Sequence, residues 1–161
     1  MSGSWPLPEP AAECAEVRER CGEVLAGRLA AIRLCVFDCD GVLTAGDLVY
    51  GPDGEAIKAF DAHDGLGLMM LRAAGVQRAV LTGRTSPMVE RRCRDLRFEA
   101  IEMSRFDKLD ALGDIWRHTG VDPAATLYMG DDLLDLPALV AAGVAVTVPG
   151  APAVVAAAAD R

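Results

Sequence analysis

Asp38 and Asp40 stand two residues apart at the end of the apolar run Leu34-Cys35-Val36-Phe37, and Gly41-Val42-Leu43-Thr44 follows at once. A buried strand has no structural use for acids at its end, because desolvating a carboxylate costs several kcal/mol unless something pairs it. Strand C-termini in open α/β sheets are also where ligands bind, so the segment reads as a catalytic turn. Three more groups occupy comparable places. Thr82-Gly83-Arg84 follows a predicted strand, Lys108 lies beyond the next, and Gly130-Asp131-Asp132 with Asp135 follows a third. In a parallel sheet these ends share one edge, and residues far apart in sequence converge on one crevice. That crevice would hold Asp38, Asp40, Asp131, Asp132 and Asp135, with Lys108 as its fixed cation. So many carboxylates stay ionised together only around a cation. Hard oxygen ligands select Mg²⁺, which takes one or two carboxylates plus waters and phosphate oxygens.

The elements that must position these groups follow from periodicity. Residues 1–10 hold three prolines and read as a loose lead-in to a single domain over 11–161. Over 11–31, Val17, Cys21, Val24, Leu25, Leu29 and Ile32 recur at helical spacing and predict one amphipathic helix. A strand follows at 33–38. Residues 44–61 predict two short strands around the turn Gly51-Pro52-Asp53-Gly54, a small flap projecting over the site. Beyond it, helices are expected at 63–74, 87–95, 106–119 and 133–142, with Asp64 and Ser86 as caps for the first two. Strands are expected at 78–81, 98–101, 126–129 and 144–148. Strands alternating with helices mean an α/β fold with a doubly wound parallel sheet. The Ala/Val-rich stretch 151–161 carries little information.

Composition narrows the function class. A net charge of −8 argues against nucleic acid as a partner, which needs a basic footprint. No apolar segment approaches the ~20 residues needed to span a bilayer, and the N-terminus lacks a signal-peptide pattern. Five cysteines without a Cys-x-x-Cys pair read as small core residues in a reducing, cytoplasmic setting. Arg91, Arg92 and Arg94 read as a solvated helix face, and His118 as a C-terminal helix residue facing the dipole.

Taken in order, Asp38-x-Asp40-Gly41-Val42-Leu43-Thr44, Thr82-Gly83-Arg84, Lys108 and Gly130-Asp131-Asp132-x-x-Asp135 resemble the four motifs of the haloacid dehalogenase superfamily of phosphatases. Only 44 residues separate Asp38 from Thr82, and 26 separate Thr82 from Lys108. That leaves room for the flap but for no cap domain. Lys58-Ala59-Phe60 and His63-Asp64-Gly65-Leu66-Gly67 narrow the resemblance to the capless phosphatases of phosphorylated keto-sugar acids. These are the 3-deoxy-D-manno-octulosonate 8-phosphate phosphatases and their nine-carbon counterparts.

The resemblance implies roles. Asp38 is the nucleophile that forms an aspartyl-phosphate, and Asp40 the acid for the leaving oxygen, then the base for water. Mg²⁺ is held by Asp38, the Asp40 backbone carbonyl and Asp131. Thr82 and the backbone N–H groups around Gly83 orient the phosphoryl group, and Lys108 stabilises its charge. Asp132 orients Lys108 or a metal-bound water; Asp135 has two readings, a support for the site or a helix cap. Arg84 and His63 are candidates for binding a sugar carboxylate, against a solvated arginine and a structural histidine. Family members carry a Gly-Gly-x-Gly segment after the last strand that reaches a neighbouring subunit in a tetramer, and the sequence up to Arg161 does not show it. A homotetramer with the flap at its contacts is the expected assembly. The competing readings are a fold kept as an oligomerisation module and a phosphoacceptor receiver domain.

Overall fold

The computed structural model of the protein describes residues 10–161; the lead-in expected over 1–10 lies almost entirely outside the described residues. The strands are β1 (Leu34–Phe37), β2 (Val49–Gly51), β3 (Gly54–Ile57), β4 (Gln77–Leu81), β5 (Ala100–Glu102), β6 (Thr126–Met129) and β7 (Val144–Val146). Five of them form one parallel sheet in the order β5-β4-β1-β6-β7, and β2 pairs antiparallel with β3 in a separate hairpin. The helices are α1 (Pro10–Ala30), α2 (Ala62–Ala73), α3 (Pro87–Asp95), α4 (Lys108–Thr119), α5 (Leu136–Ala141) and α6 (Ala153–Ala158).

Alternation along β1 builds both faces of the core. Leu34 and Val36 point to one side, where they pack with Leu112 and Ile115 of α4, Leu139 of α5 and Val155 of α6. Cys35 and Phe37 point to the other, with Leu68 of α2 and Val89 and Cys93 of α3. Two-faced burial explains why β1 reads as a continuous apolar run. Each fully buried aliphatic side chain contributes about 1.5–3 kcal/mol, and β1 is buried along its whole length. The acids follow directly at its end.

Several local expectations are corrected. The helix over 11–31 is broken at Gly22, whose φ of +78° and ψ of 161° only glycine adopts without strain. The second half is thereby re-aimed, so Leu25 and Leu29 meet the core while Val24 is 80% exposed; the Val17 side chain lies outside the described residues. Asp61, not Asp64, caps α2, its carboxylate accepting from the His63 N–H at 2.7 Å. The helix starts one residue earlier than the periodicity suggests, which moves Asp64 into the first turn. Ser86 has the extended backbone of a cap, but its hydroxyl makes no capping bond. Arg91 and Arg94 do form solvated pairs with Asp95 and Glu90. Arg92 turns inward instead, over the Phe60 ring and onto the Asp61 carbonyl. The helix expected over 133–142 is a 3₁₀ turn at Leu133–Asp135 followed by α5.

The stretch 151–161 is ordered as well. Val155 is fully buried, Asp160 N–H donates to the Ala145 carbonyl, and Thr147 N–H donates to the Arg161 carbonyl, lining the edge of β7. Arg28 of α1 clamps this end, pairing both guanidinium NH groups with Asp160 while reaching the Gly143 carbonyl. Arg28's hydrogen bonds hold the Asp160 carboxyl below its ordinary value; burial opposes them, and the Ala145 N–H adds to them. A depressed carboxyl stabilises the fold above its unfolded pKa and loses that contribution as pH falls through the folded value. Asp160→Asn should therefore cost about 0.5–1 kcal/mol at neutral pH, the range of a partly screened pair. In urea unfolding, the gap from wild type should close as the pH falls through the lowered Asp160 carboxyl. A gap that stayed constant with pH would exclude a charge origin.

Candidate active site

The loop after β1 closes into one tight turn, with the N–H groups of Val42, Leu43 and Thr44 converging on the Cys39 carbonyl. This places Asp38 in line with the strand and Asp40 on the turn. β1 is flanked by β4 and β6, so Thr82 and Gly130-Asp131 end on either side of Asp38. Two glycines allow the close approach. A Cβ on Gly41, at φ +90°, would collide with the Asp131 carboxylate, and one on Gly130 with the Asp135 carboxylate.

Lys108, at the first position of α4, is 3% exposed and points back under the sheet edge. Its ammonium donates to Asp38 Oδ1 at 2.7 Å and to the Leu81 carbonyl at 2.9 Å, and lies 3.1 Å from Asp135 Oδ1. Three donors thus meet three acceptors. Burial pushes the Asp38 carboxyl up to about 6 despite the pull of Lys108, with Asp135 adding to the rise. Asp135 is the hub beneath them. Its Oδ1 accepts from the Tyr128 hydroxyl at 2.6 Å, and its Oδ2 from the N–H groups of Asp131 and Asp132, each at 3.1 Å. The position beside Lys108 expected for Asp132 belongs to Asp135. Asp132 instead accepts from the Leu133 N–H at 2.6 Å and sits at the surface.

Oxygens of Asp38, Asp131 and Asp135 lie within 4.8 Å of one another. Asp135 is already committed to four hydrogen-bonding groups, whereas Asp131 Oδ1 is buried with no hydrogen-bond partner. Burial, then repulsion from Asp135 and Asp132, raises the Asp131 carboxyl. An orphaned buried oxygen beside a second carboxylate is the donor set a hard divalent cation satisfies. The residues present fit Mg²⁺.

The second acid has its own cations. Asp40 pairs with the Lys58 ammonium through Oδ1, and Arg84 Nε lies 3.8 Å from Oδ2. Burial alone would lower the Lys58 ammonium, but its bonds to Asp40 and Glu55 outweigh that and hold it above its ordinary value. Arg84 also donates to the Tyr50 hydroxyl at 2.6 Å, with its guanidinium 5.9 Å from that ring centre. Thr82 is buried, its hydroxyl accepting from the Arg84 N–H at 3.3 Å. The structure thus brings together Asp38, Asp40, Thr82, Gly83, Arg84, Lys108, Asp131 and Asp135. His63 stands apart, its side chain 95% exposed and its Nδ1 3.0 Å from Asp61 Oδ1. Sequence reasoning assigned no role to Tyr50, Glu55 or Lys58 of the flap. The one signal was a lysine in Lys58-Ala59-Phe60, at the end of a strand facing the acids.

A parallel sheet with an acidic crevice at its strand ends, a buried lysine there and a hairpin in place of a cap defines a phosphoric monoester hydrolase of the haloacid dehalogenase superfamily. No family model matches the chain. It is 44% identical over 125 residues to the 3-deoxy-D-manno-octulosonate 8-phosphate phosphatase of Haemophilus influenzae, a match covering 78% of this chain and 69% of the relative. The enzyme of that name from Escherichia coli K12 is 36% identical over 117 residues, covering 73% of this chain and 62% of the relative. Among solved structures, the Moraxella catarrhalis 3-deoxy-D-manno-octulosonate 8-phosphate phosphatase, in complex with magnesium, phosphate and KDO, superimposes with a TM-score of 0.80. It is 37% identical and covers 83% of this chain and 77% of that one. The chain belongs to the 3-deoxy-D-manno-octulosonate 8-phosphate phosphatase family.

Proposed function

We propose that the protein hydrolyses the 8-phosphate ester of 3-deoxy-D-manno-octulosonate with Mg²⁺ bound. The observation that carries the chemistry is the pair of acids after β1, each with a separate cation: Lys108 for Asp38, Lys58 for Asp40. Family membership carries the substrate. Asp38 attacks phosphorus, the bond to the sugar oxygen breaks, and Asp40 supplies that oxygen's proton. A water then attacks the aspartyl-phosphate, Asp40 takes its proton, and the bond to Asp38 breaks to release phosphate. Lys108 stabilises the charge that gathers on the phosphoryl oxygens, and the Thr82 hydroxyl with the N–H groups around Gly83 orients them. Asp38, Asp131 and the Asp40 carbonyl would hold the Mg²⁺, which neutralises the phosphoryl group when bound. Asp135 supports the site by fixing Lys108 and the turn at Asp131. Arg84, at the crevice, is the cation placed to meet the sugar carboxylate, with His63 as an outer candidate.

Assembly and location follow the same reading. The flap exposes Leu48, Val49, Tyr50 and Ile57, and an isolated two-stranded hairpin is only marginally stable. A homotetramer that buries these side chains is the proposed assembly. Cys35, Cys39 and Cys93 are buried thiols, which suits the reducing cytoplasm, and no described helix is long and apolar enough to cross a membrane. A panel of sugar-acid phosphates, nine-carbon acids included, assayed for phosphate release should show turnover of the eight-carbon ester. Turnover should disappear with a chelator and return with added Mg²⁺. No release from any member with Mg²⁺ present would refute the proposal.

A further inference from the structure

The flap touches the crevice through polar side chains. Lys58, just beyond β3, has a side chain only 1% exposed although the hairpin around it faces solvent. Burying an ammonium costs several kcal/mol unless it is paired. Both of its partners are carboxylates, Asp40 in the crevice and Glu55 of β3 at 3.1 Å. Glu55 is itself 11% exposed, so the hairpin delivers a buried ion pair and leaves the remaining donors of the ammonium for Asp40. Tyr50 of β2 makes a second link, through Arg84, to the other oxygen of the same carboxylate. Asp40 sits on a turn, where nothing else described fixes its side chain, whereas Asp38 is held by Lys108 from the core side.

We propose that Lys58 is a positioning residue for Asp40. Its ammonium, braced by Glu55, holds that carboxylate on the flap side of the crevice, where the leaving oxygen must receive its proton. This rests on the proposed roles of Asp38 and Asp40 and goes beyond them, because it makes the hairpin part of the proton-transfer geometry. Lys58 is directed at two protein carboxylates rather than at phosphate.

Leaving-group dependence tests this directly. An alkyl ester such as the sugar-acid phosphate needs a proton on its departing oxygen; p-nitrophenyl phosphate does not. The quantity to compare is kcat/KM, which reports events up to cleavage of that bond and excludes the later hydrolysis step. Lys58→Met should lower kcat/KM for the alkyl ester about 100-fold, the low end of acid catalysis. The aryl ester should change by less than about 5-fold, and Lys58→Arg should recover most of the alkyl loss. Glu55→Gln should give the same selectivity with a smaller loss. Equal losses on both esters would mean a structural or phosphate-binding role and overturn the proposal, as would no loss on either. Wild-type turnover separates the two readings. A wild type that cleaves some other alkyl phosphate but not the sugar-acid ester refutes the substrate while the Lys58 comparison proceeds on that ester. A wild type inert toward both ester classes ends both.

Discussion

Asp38→Asn should abolish phosphate release, with a fall in kcat on the order of 10⁴–10⁶-fold, while the fold persists. An amide oxygen is a poor nucleophile, and groups that form the covalent intermediate carry losses of this size. The fold should not suffer, because Asp38 is a cost to it. Burial raises its carboxyl to about 6, so at neutral pH the ionised group opposes folding. The sign is that of an acid whose folded pKa exceeds its unfolded one: its penalty grows as pH rises and is absent well below both values. Lys108 retains the Leu81 carbonyl and Asp135 after the change. The melting temperature at neutral pH, without metal, should therefore hold or rise. Acid-quench trapping with labelled substrate should find phosphoenzyme in the wild type and none in the variant. Residual activity of more than a few per cent would place the nucleophile elsewhere. An oligomerisation module without catalysis would show no activity for the substitution to remove.

Lys108→Met should harm both activity and folding, and the two effects should respond differently to metal. Lys108 is the buried cation shared by Asp38 and Asp135, and Asp131 lies in the same cluster. Removing one partner of a buried ion pair costs about 3–5 kcal/mol, since the remaining charge is left uncompensated. Three carboxylates would then crowd one site with no internal cation. Mg²⁺ should restore part of the stability, as should lowering the pH toward the range where the raised Asp38 and Asp131 carboxyls take up protons. Activity should stay about 10²–10³-fold down at saturating Mg²⁺, because a metal that Asp38 and Asp131 would hold could not replace the ammonium proposed to face the transferring oxygens. Urea unfolding with and without Mg²⁺, beside phosphate-release assays, measures both. Stability within about 1 kcal/mol of wild type in the absence of metal would contradict the ion-pair argument.

Much of this was legible from residue order. The acids after β1, Thr82 after β4, Lys108 at the head of α4 and Asp131 after β6 each lie within a few residues of an element whose period is visible in the chain. Parallel strands bring such ends to one edge whatever the strand order. In the structure Gly120 ends α4 in the left-handed conformation, and Gly130 lets Asp135 approach closely. Where the reading failed, the deciding contact was short in space and uncertain in register. Asp132 and Asp135 are three residues apart on one turn, and the capping geometry, with the Asp132 side chain spent on Leu133 N–H, leaves Asp135 to reach Lys108.

Other features had no local signature. Arg78 looks like a charged residue spoiling β4, yet it is fully buried and donates to the carbonyls of Leu68, Leu96 and Arg97 and to Glu99. It reaches the carbonyls past the end of α3 and one inside α2 at once, which no spacing announces. Stretch 151–161 looked like filler because alanine and valine carry no polar pattern, and it gained meaning only from the core beneath α4 and α5 that Val155 joins.

The sequence by itself determined which residues are available for chemistry, two acids two residues apart with a lysine and further carboxylates at neighbouring strand ends. It did so because those positions are tied to elements with readable periods. Only the tertiary structure decided how the two acids are told apart. Lys108 reaches Asp38 across 70 residues and Lys58 reaches Asp40 across 18. Which cation meets which carboxylate depends on where a helix head and a hairpin land on the finished sheet.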